Sequence, residues 1–315
     1  MNQKLHDPVL DAAQAELFAA HSGTRDASAV FIVGAPRTGS TLFYQALAQA
    51  FDLPFVSNTA DADTPHHPAI GVLRSFRANQ DGLPESGFES CFGKTRGLHA
   101  PSEGSAVFSH WCGGGHPSER VSPGILPDRE AHMRATLSAI ESATGAPLLI
   151  KNAWNCFRVP ALARAFPRAV FLWIRRDAAD AAASDLAARY AVQGDPQAWN
   201  SATPHNVELL RRLHPAGQVL ENQFEFSRAI SEAAAALPDT RFSAVWYEDF
   251  LADPNAVAAR LAAHVPLLAA RPRHPLPDFA APPPVDLPEP DRQALHHHLA
   301  EAPGRWQPLR WPGAR

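Results

Sequence analysis

One short segment, residues 30–42, restricts the folds open to this chain more than any other feature. Four apolar residues are followed by a turn with two glycines and then by a segment of helical character. Such a turn directs successive backbone N–H groups at one anion, at the positive end of a helix dipole. The segment therefore predicts a buried strand, an anion-binding loop and a helix. The residues expected to surround the anion are Gly34, Pro36, Arg37, Thr38, Gly39, Ser40 and Thr41.

The loop differs from the ATP-binding loop G-x-x-x-x-G-K-[ST] at one chemically important position. The glycine spacing is the same, but Ser40 stands where the ATP-binding loop has its phosphate-binding lysine. The loop carries a cation at its centre instead, Arg37. We therefore expect it to bind a phosphate-like group other than the end of a nucleoside triphosphate.

Composition and charge restrict the partners and the compartment. The 315 residues are 45% hydrophobic and carry a net charge of −4, so we do not expect a nucleic-acid-binding protein. No apolar run reaches the roughly 20 residues needed to cross a bilayer, and the N-terminal sequence does not resemble a signal peptide. Three cysteines predict no disulfide framework. These features together predict a soluble cytoplasmic protein.

Apolar β-branched runs alternate with helical patterns along most of the chain. Strands are predicted at 30–33, 148–150, 170–174 and 242–246, and helices at 41–51, 157–166, 177–190, 204–237 and 255–264. Pro215 is expected to bend the helix at 204–237. Strands separated by helices indicate βαβ units and therefore an α/β fold around a mostly parallel central sheet.

Three regions are predicted along the chain. Residues 1–28 form an N-terminal helix and linker, residues 29–270 the α/β domain, and residues 271–315 a proline-rich C-terminal strap over the surface. Within the domain, residues 57–132 are rich in Gly, Pro, Ser and His and have weak periodicity. That stretch is too long for an ordinary connection, so we interpret it as an insertion with a binding role.

A second anion site is predicted at the end of the third strand. Arg176 follows that strand directly, and Ser184 lies eight residues later, about two turns along the next helix. Asp177 is placed to cap this helix. Because ligands of parallel sheets gather at the carboxyl ends of the strands, we expect this site beside the first loop.

These motifs resemble those of the sulfotransferases that use 3′-phosphoadenosine 5′-phosphosulfate. The loop 34–41 is similar to the family's G-x-P-[KR]-[ST]-G-[ST]-[ST], and Arg176 with Ser184 is similar to its spaced arginine and serine. Lys151-Asn152 and the later Phe166-Pro167 are similar to the K-[ND]-P…F-P segment of glycan, lipid and tyrosylprotein sulfotransferases. Residues 246–254 are similar to the family's R-Y-E-D-L…P. The matches run in family order from residue 29 to about residue 265.

The resemblance implies a fold, a donor and roles for several residues. It implies a bacterial sulfotransferase with a three-layer sandwich like that of the P-loop NTPases. The loop would bind the 5′ end of the donor, Arg176 and Ser184 the 3′-phosphate, and Tyr247 the nucleotide. Arg37 and Lys151 would flank the oxygen between sulfur and the departing 5′-phosphate. Because the leaving group is a phosphate, no metal ion is required.

The sequence departs from the family at two places. The usual R-D-P-R-D is here Arg-Asp-Ala-Ala-Asp at 176–180, so a proline and a second arginine are missing. The segment after the first helix lacks the glutamate that often serves as the base. We favour Glu103 as the base, with His99 and His66 as alternatives. Asp61, Asp63 and His67 are further candidates near His66.

The sequence thus predicts a sulfotransferase that acts on a hydroxyl group of a small molecule, a carbohydrate or a lipid-linked glycan. A small-molecule kinase with the same fold is one alternative, which Ser40 disfavours. A non-catalytic nucleotide-binding protein is another, and the missing glutamate favours it.

Overall fold

A computed structural model describes residues 7–21, 26–81, 88, 90–91, 93–114 and 124–313 of the chain. Within these residues, four strands form a parallel sheet of order β4-β1-β5-β6, and β2 and β3 form a separate antiparallel pair. The strands are β1 (Ala29–Val33), β2 (Ser90–Cys91), β3 (Lys94–Thr95), β4 (Leu148–Lys151), β5 (Val170–Arg175) and β6 (Phe242–Trp246).

Fifteen α-helices surround the sheet in the part of the chain that the structure describes. They are α1 (Pro8–Ala20), α2 (Ser40–Phe51), α3 (Asn58–Ala62), α4 (Pro68–Gln80), α5 (Ser105–Cys112), α6 (Glu130–Thr144), α7 (Asn155–Ala165), α8 (Ala178–Gln193), α9 (Val207–Leu210), α10 (Pro215–Ala235), α11 (Tyr247–Ala252), α12 (Pro254–His264), α13 (Pro266–Ala269), α14 (Glu289–Glu301) and α15 (Pro303–Trp306). Short 3₁₀ turns lie at Asp239–Arg241 and Gln307–Leu309. No helix of the described residues has the length and apolar character required to cross a membrane.

The central strand β1 shows why the fold has three layers. It is buried along its whole length, as expected for a strand covered on both faces. Phe31 points into a core shared with α6, α7 and α10, where its ring stacks on that of Phe171 at 5.3 Å. Its neighbours Val30 and Ile32 point to the opposite face, into a core shared with α2, α11 and α12. The predicted α/β fold with a mostly parallel central sheet is confirmed.

The region 57–132 contains more helix than its weak periodicity predicts. Its described residues include α3, α4 and α5, the β2–β3 pair and the start of α6, whereas residues 82–87, 89, 92 and 115–123 lie outside the described part. Pro68 stands in the first turn of α4, where its missing N–H costs little, and Ala69 and Val72 join the main core. Leu73 also packs against this core, and only Arg74, Arg77 and Gln80 of α4 are exposed.

The prediction that Pro215 bends a long helix over 204–237 is wrong. The structure has the short helix α9, a break after it, and then α10, which begins at Pro215. Proline is favoured at the first position of a helix because its φ angle is already suitable and its N–H is not needed there. The imidazole of His214 caps this start by accepting a hydrogen bond from the Ala216 N–H at 3.2 Å.

The C-terminal region continues as a long connection and two helices. Residues 271–288 contain no helix or strand, and α14 and α15 follow. These helices pack on α8 and α10 through Leu295 and Trp306, in a third, smaller core. The last described residues lie near the ends of β5 and β6, where Arg175 donates to the Pro308 carbonyl and the Trp311 indole donates to Asp249.

Candidate active site

The loop between β1 and α2 requires glycine at both of its predicted positions. A β-carbon on Gly34 would lie 2.6 Å from the carbonyl oxygen of Ile174, because the loop crosses directly over the end of β5. Gly39 has a φ of +79°, and a β-carbon there would lie 2.3 Å from the ring of Tyr247. Gly39 also precedes the first residue of α2 and provides no side-chain cap. The first N–H groups of α2 are therefore available to an anion.

Contacts from two neighbouring helices and one contact within the loop hold it in this shape. The thiol of Cys156, in α7, lies 3.3 Å from both the N and the O atoms of Gly34. Burial raises the pKa of this thiol to about 12, so it stays neutral. The side-chain amide of Gln223, in α10, donates to the Pro36 carbonyl at 2.8 Å. Within the loop, the Thr38 hydroxyl donates to the Ala35 carbonyl at 2.8 Å, so it serves the loop itself.

Arg37 joins the two predicted anion sites. Its backbone has a φ of 66°, an uncommon value for a residue with a side chain. Its Nε donates to the Ser184 hydroxyl at 3.3 Å, and its carbonyl accepts a hydrogen bond from Arg176 Nη1 at 3.1 Å. The structure thus brings together Arg176 and Ser184, as predicted. It places the Arg37 side chain with them, on the α8 side of the loop.

Tyr247 packs on the loop and supports Arg176. The same ring that excludes a β-carbon from Gly39 lies under the Arg176 guanidinium, 5.3 Å from its carbon to the ring centre. Burial raises the pKa of this tyrosine, which remains protonated. The next residue, Glu248, accepts a hydrogen bond from the Asp177 N–H at 2.9 Å and so fixes the start of α8.

Lys151 and Glu103 form an ion pair at the end of β4. Lys151 is the last residue of that strand and is only 6% exposed, and its Nζ contacts Glu103 Oε1. Asn152 donates to the Glu103 carbonyl at 3.0 Å, so the backbone of the 102–104 turn is attached to the same strand end. A β-carbon on Gly93 would lie 3.3 Å from Glu103 Oε1 and 3.7 Å from Thr41 Oγ1. The carboxylate of Glu103 and the start of α2 therefore face the same small space.

The other candidate bases have structural partners in the helical 57–132 region. His99 Nδ1 lies 3.0 Å from the Ser75 hydroxyl, which donates to Ser57 Oγ at 2.7 Å. The ring of His66 is exposed and stacks on His110, with 4.6 Å between ring centres. Both histidines therefore have partners other than the ion pair at the end of β4.

The remaining candidates near His66, namely Asp61, Asp63 and His67, also have structural roles. Asp61 accepts hydrogen bonds from the Ala106 N–H at 2.7 Å and the Ser102 hydroxyl at 3.0 Å, so it anchors the turn that carries Glu103. His67 Nε2 lies at hydrogen-bond distance from Asp11 Oδ1 in α1, at 2.7 Å. Asp63 terminates α3 as its C-cap.

Several supporting residues of this site have no sequence motif that would reveal them. Gln223 and Cys156 act on the loop from helices that are 187 and 122 residues away in sequence. Only the fold brings them to the loop, so no local spacing could have indicated them.

Comparison with known proteins identifies the family. Residues 29–268 match a family model described as the sulfotransferase family. The chain belongs to this family. The family resemblance predicted from the motifs is confirmed. The match also covers both predicted anion sites and the strand that ends at Lys151.

Curated relatives of the family include two mycobacterial enzymes. The omega-hydroxy-beta-dihydromenaquinone-9 sulfotransferases Stf3 of Mycobacterium bovis and Mycobacterium tuberculosis are each 24% identical to this chain. Each match covers 76% of the chain but only 62% of the relative. The chain thus spans less than two thirds of the length of these enzymes.

A solved structure of the family shares the fold. The sulfotransferase STF9 from Mycobacterium avium aligns with a TM-score of 0.52 and 18% identity, over 93% of this chain and 80% of that one. The similarity supports the fold described above, in which the loop after β1 and the ends of β4 and β5 meet at one edge of the sheet.

Proposed function

We propose that this protein transfers a sulfonate group from 3′-phosphoadenosine 5′-phosphosulfate to a hydroxyl group of a lipid or glycan acceptor. One observation carries the proposal. Lys151 and Glu103 meet beside Thr41, at the start of the helix that follows the anion-binding loop. A cation for the leaving group and a carboxylate for the acceptor proton therefore face the same space.

The donor has two anionic ends, and two groups of hydrogen-bond donors fit them. The N–H groups at the start of α2 and the loop residues 34–41 would surround the 5′-phosphate. Arg176 and Ser184 would bind the 3′-phosphate, and Arg37 lies between the two groups. Guanidinium groups suit this task because their planar N–H groups match phosphate oxygens.

The residues suggest an in-line transfer with Glu103 as the general base. Glu103 would accept the proton of the acceptor hydroxyl while the acceptor oxygen forms its bond to sulfur. The bond between sulfur and the 5′-phosphate oxygen breaks, and Lys151 would stabilise the charge on that oxygen. Protonation of Glu103 weakens its ion pair with Lys151, which releases the ammonium group toward the leaving oxygen. The products are a sulfate ester and adenosine 3′,5′-bisphosphate.

The acceptor is proposed from the relatives and from the location of the 57–132 region. The name of the mycobacterial relatives states a hydroxylated menaquinone as their acceptor, which favours a lipid-like acceptor here. In this chain Phe88 of the 57–132 region contacts Phe279 of the C-terminal strap, with 4.9 Å between ring centres. We expect these two segments to form part of the acceptor cleft. A cytoplasmic location and a reaction without a metal ion remain predictions from the sequence.

Single-turnover transfer measurements test the role of Glu103. Glu103→Gln should slow transfer about 10²- to 10⁴-fold, the usual contribution of a general base, with little change in bisphosphate affinity. Glu208→Gln is a matched control, because that glutamate lies on the surface and pairs with Arg211. Normal transfer by Glu103→Gln would exclude Glu103 as the base.

Two binding and product measurements separate the proposal from its rivals. Mass spectrometry with a panel of hydroxylated lipids and glycans should detect the bisphosphate product and a sulfated acceptor. Titration with ATP and Mg²⁺ should give weaker binding than titration with adenosine 3′,5′-bisphosphate. Preference for ATP would favour a kinase, and tight bisphosphate binding without any sulfated product from the panel would favour a non-catalytic nucleotide-binding protein.

A further inference from the structure

A cavity of about 480 Å³ lies between α7 and α10, next to the anion-binding loop. Cys156 forms part of its wall, and the thiol of this residue contacts Gly34 of the loop. Of the described residues that line the cavity, none belongs to the proposed nucleotide sites or to the Lys151–Glu103 pair. Its volume lies within the range of about 300–1,000 Å³ that is typical of small-molecule sites. The cavity is therefore a candidate for a second binding site.

Apolar side chains of both helices form one part of the cavity lining. Phe157 and Pro160 contribute to it from α7, and Ala229 and Ala233 contribute from α10. The spacing of three or four residues places each pair on one face of its helix. The ring of Phe157 packs on that of Phe226, with 4.6 Å between ring centres, so its position is fixed by the main core. This part of the lining suits the apolar body of a ligand.

Pro160 also changes the hydrogen bonding of α7. It lies inside the helix and has no N–H, so it cannot donate to the carbonyl of Cys156 one turn earlier. Both residues line the cavity. Cys156 therefore keeps a backbone acceptor that a regular α-helix would use, and such an acceptor suits a ligand with hydrogen-bond donors.

Glu225 is the least exposed member of a group of three charged side chains at the cavity. Its side chain is 15% exposed, compared with 49% for Arg228 and 64% for Glu232. Arg228 Nη2 donates to Glu225 Oε2 at 2.7 Å, and Nη1 donates to Glu232 Oε1 at 2.8 Å. One guanidinium group thus balances only one of the two carboxylates. The second oxygen of Glu225, Oε1, makes no hydrogen bond with the residues that the structure describes.

His205 does not supply the missing positive charge at neutral pH. It lines the cavity, and its ring lies 5.1 Å from that of Phe157. Burial lowers the pKa of His205 from 6.5, although the charge of Glu225 opposes this change. A histidine with such a pKa is mostly neutral at about pH 7. The cavity therefore retains the negative charge of one carboxylate.

We propose that this cavity is a binding site for an organic ammonium ion with an apolar body. The ammonium group would donate to Glu225 Oε1 and to the Cys156 carbonyl, and the apolar body would lie against Phe157, Pro160 and Ala229. A cation offsets the unbalanced carboxylate, whereas an anionic ligand would be repelled by it. This binding site goes beyond the proposed function and does not depend on the identity of the sulfonate donor.

Three ligands with the same apolar chain and different charge test the inference. In calorimetric titrations, octylamine, which is protonated at neutral pH, should bind more tightly than octanol, and octanoate should bind most weakly. Glu225→Gln should weaken octylamine binding about tenfold to a hundredfold, as expected for a lost charged hydrogen-bond partner, and should leave octanol binding unchanged. Glu289→Gln is the matched control, because Glu289 pairs with Arg292 at the same three-residue spacing on the surface of α14.

A second variant locates the ligand independently of charge. Ala229→Trp should fill the cavity and abolish binding of both octylamine and octanol. Ala235→Trp is its control, because Ala235 is exposed on the same helix and does not line the cavity. Saturating adenosine 3′,5′-bisphosphate should not displace octylamine, because the cavity shares no lining residue with the proposed nucleotide sites.

Three results would contradict the inference. Equal affinity for the three ligands would show that the cavity does not select a cation, and normal octylamine binding by Glu225→Gln or by Ala229→Trp would place the amine elsewhere. Displacement of octylamine by the bisphosphate would assign the amine to the nucleotide site. These measurements follow binding alone, so they remain decisive even if the protein proves to transfer no sulfonate group.

Discussion

The ring of Tyr247 occupies the space in which a β-carbon on Gly39 would lie, at a separation of only 2.3 Å. The anion-binding loop and the residue that follows β6 are therefore shaped to each other. This relationship connects two sequence motifs that are 208 residues apart and explains why both are needed for one site.

Gly39→Ala should destabilise the protein and abolish nucleotide binding. The left-handed backbone alone should cost about 1–2 kcal/mol, and the overlap with Tyr247 should add to it. Urea unfolding and titration with adenosine 3′,5′-bisphosphate would measure the two effects. Gly194→Ala is the matched control, because Gly194 has a φ of +68° and open space around it. The double variant Gly39→Ala, Tyr247→Ala should recover stability relative to Gly39→Ala, and the absence of recovery would contradict the steric explanation.

Lys151→Ala and Arg176→Ala should have opposite effects on rate and binding. Lys151→Ala should raise the barrier to transfer by about 3–4 kcal/mol, as for removal of one donor to a developing charge, and should change bisphosphate affinity little. Arg176→Ala should weaken bisphosphate binding more than it lowers the rate of sulfonate transfer in the bound complex. Single-turnover rates and equilibrium titrations give the two quantities separately. The reverse pattern would show that the proposed roles of these two residues are exchanged.

Acid should weaken the fold through two histidines. The rings of His110 and His132 lie 5.1 Å apart, and His132 Nδ1 accepts a hydrogen bond from the Trp111 indole at 3.0 Å. The pKa of each is lowered from 6.5 to about 4, mainly by burial and in smaller part by the neighbouring charges of His66, His67 and Arg129. Because the unfolded chain binds these protons first, this part of the stability is present above pH 6.5 and is lost as the pH falls toward 4.

Urea unfolding at several pH values would measure this effect. His110→Phe keeps an aromatic ring but cannot take up a proton, so its free energy of unfolding should fall less steeply with acid than that of the wild type. The exposed His297, which pairs with Glu301 at the surface, provides the control His297→Gln. A pH dependence unchanged by His110→Phe would show that the titration of His110 has no part in it.

Cys156 should resist alkylation in the folded protein. Its pKa is raised to about 12 by burial, so almost no thiolate is present at about pH 8, where an exposed thiol is partly ionised. Iodoacetamide treatment followed by peptide mass spectrometry should leave Cys156 unmodified until urea unfolds the chain. Rapid labelling under native conditions would mean that the thiol is not buried beneath Gly34.

The sheet and the anion-binding elements were predictable because their signals are local. A buried parallel strand is an apolar run, as in β1 and β5, and the loop carries its glycines at fixed spacing. The ends of parallel strands meet at one edge, so Arg176 could be placed beside the loop from topology alone.

The selection of a base was not predictable in the same way. Glu103, His99 and His66 lie in one region of weak periodicity, and only the long-range contact with Lys151 separates Glu103 from the others. The prediction of a bend at Pro215 was wrong for a related reason, because proline is compatible both with a kink and with a helix start. The side-chain orientation of Arg37 depends on the φ angle of a single residue, which no sequence pattern specifies.

The backbone conformation of Arg37 opposes selection for stability to selection for donor binding. A glycine would adopt a φ of 66° without strain, whereas arginine accepts that cost in order to offer a guanidinium beside Ser184. A screen that rewards heat resistance alone should therefore enrich glycine at position 37. The selected variants should unfold at higher temperature and should bind their donor with lower affinity.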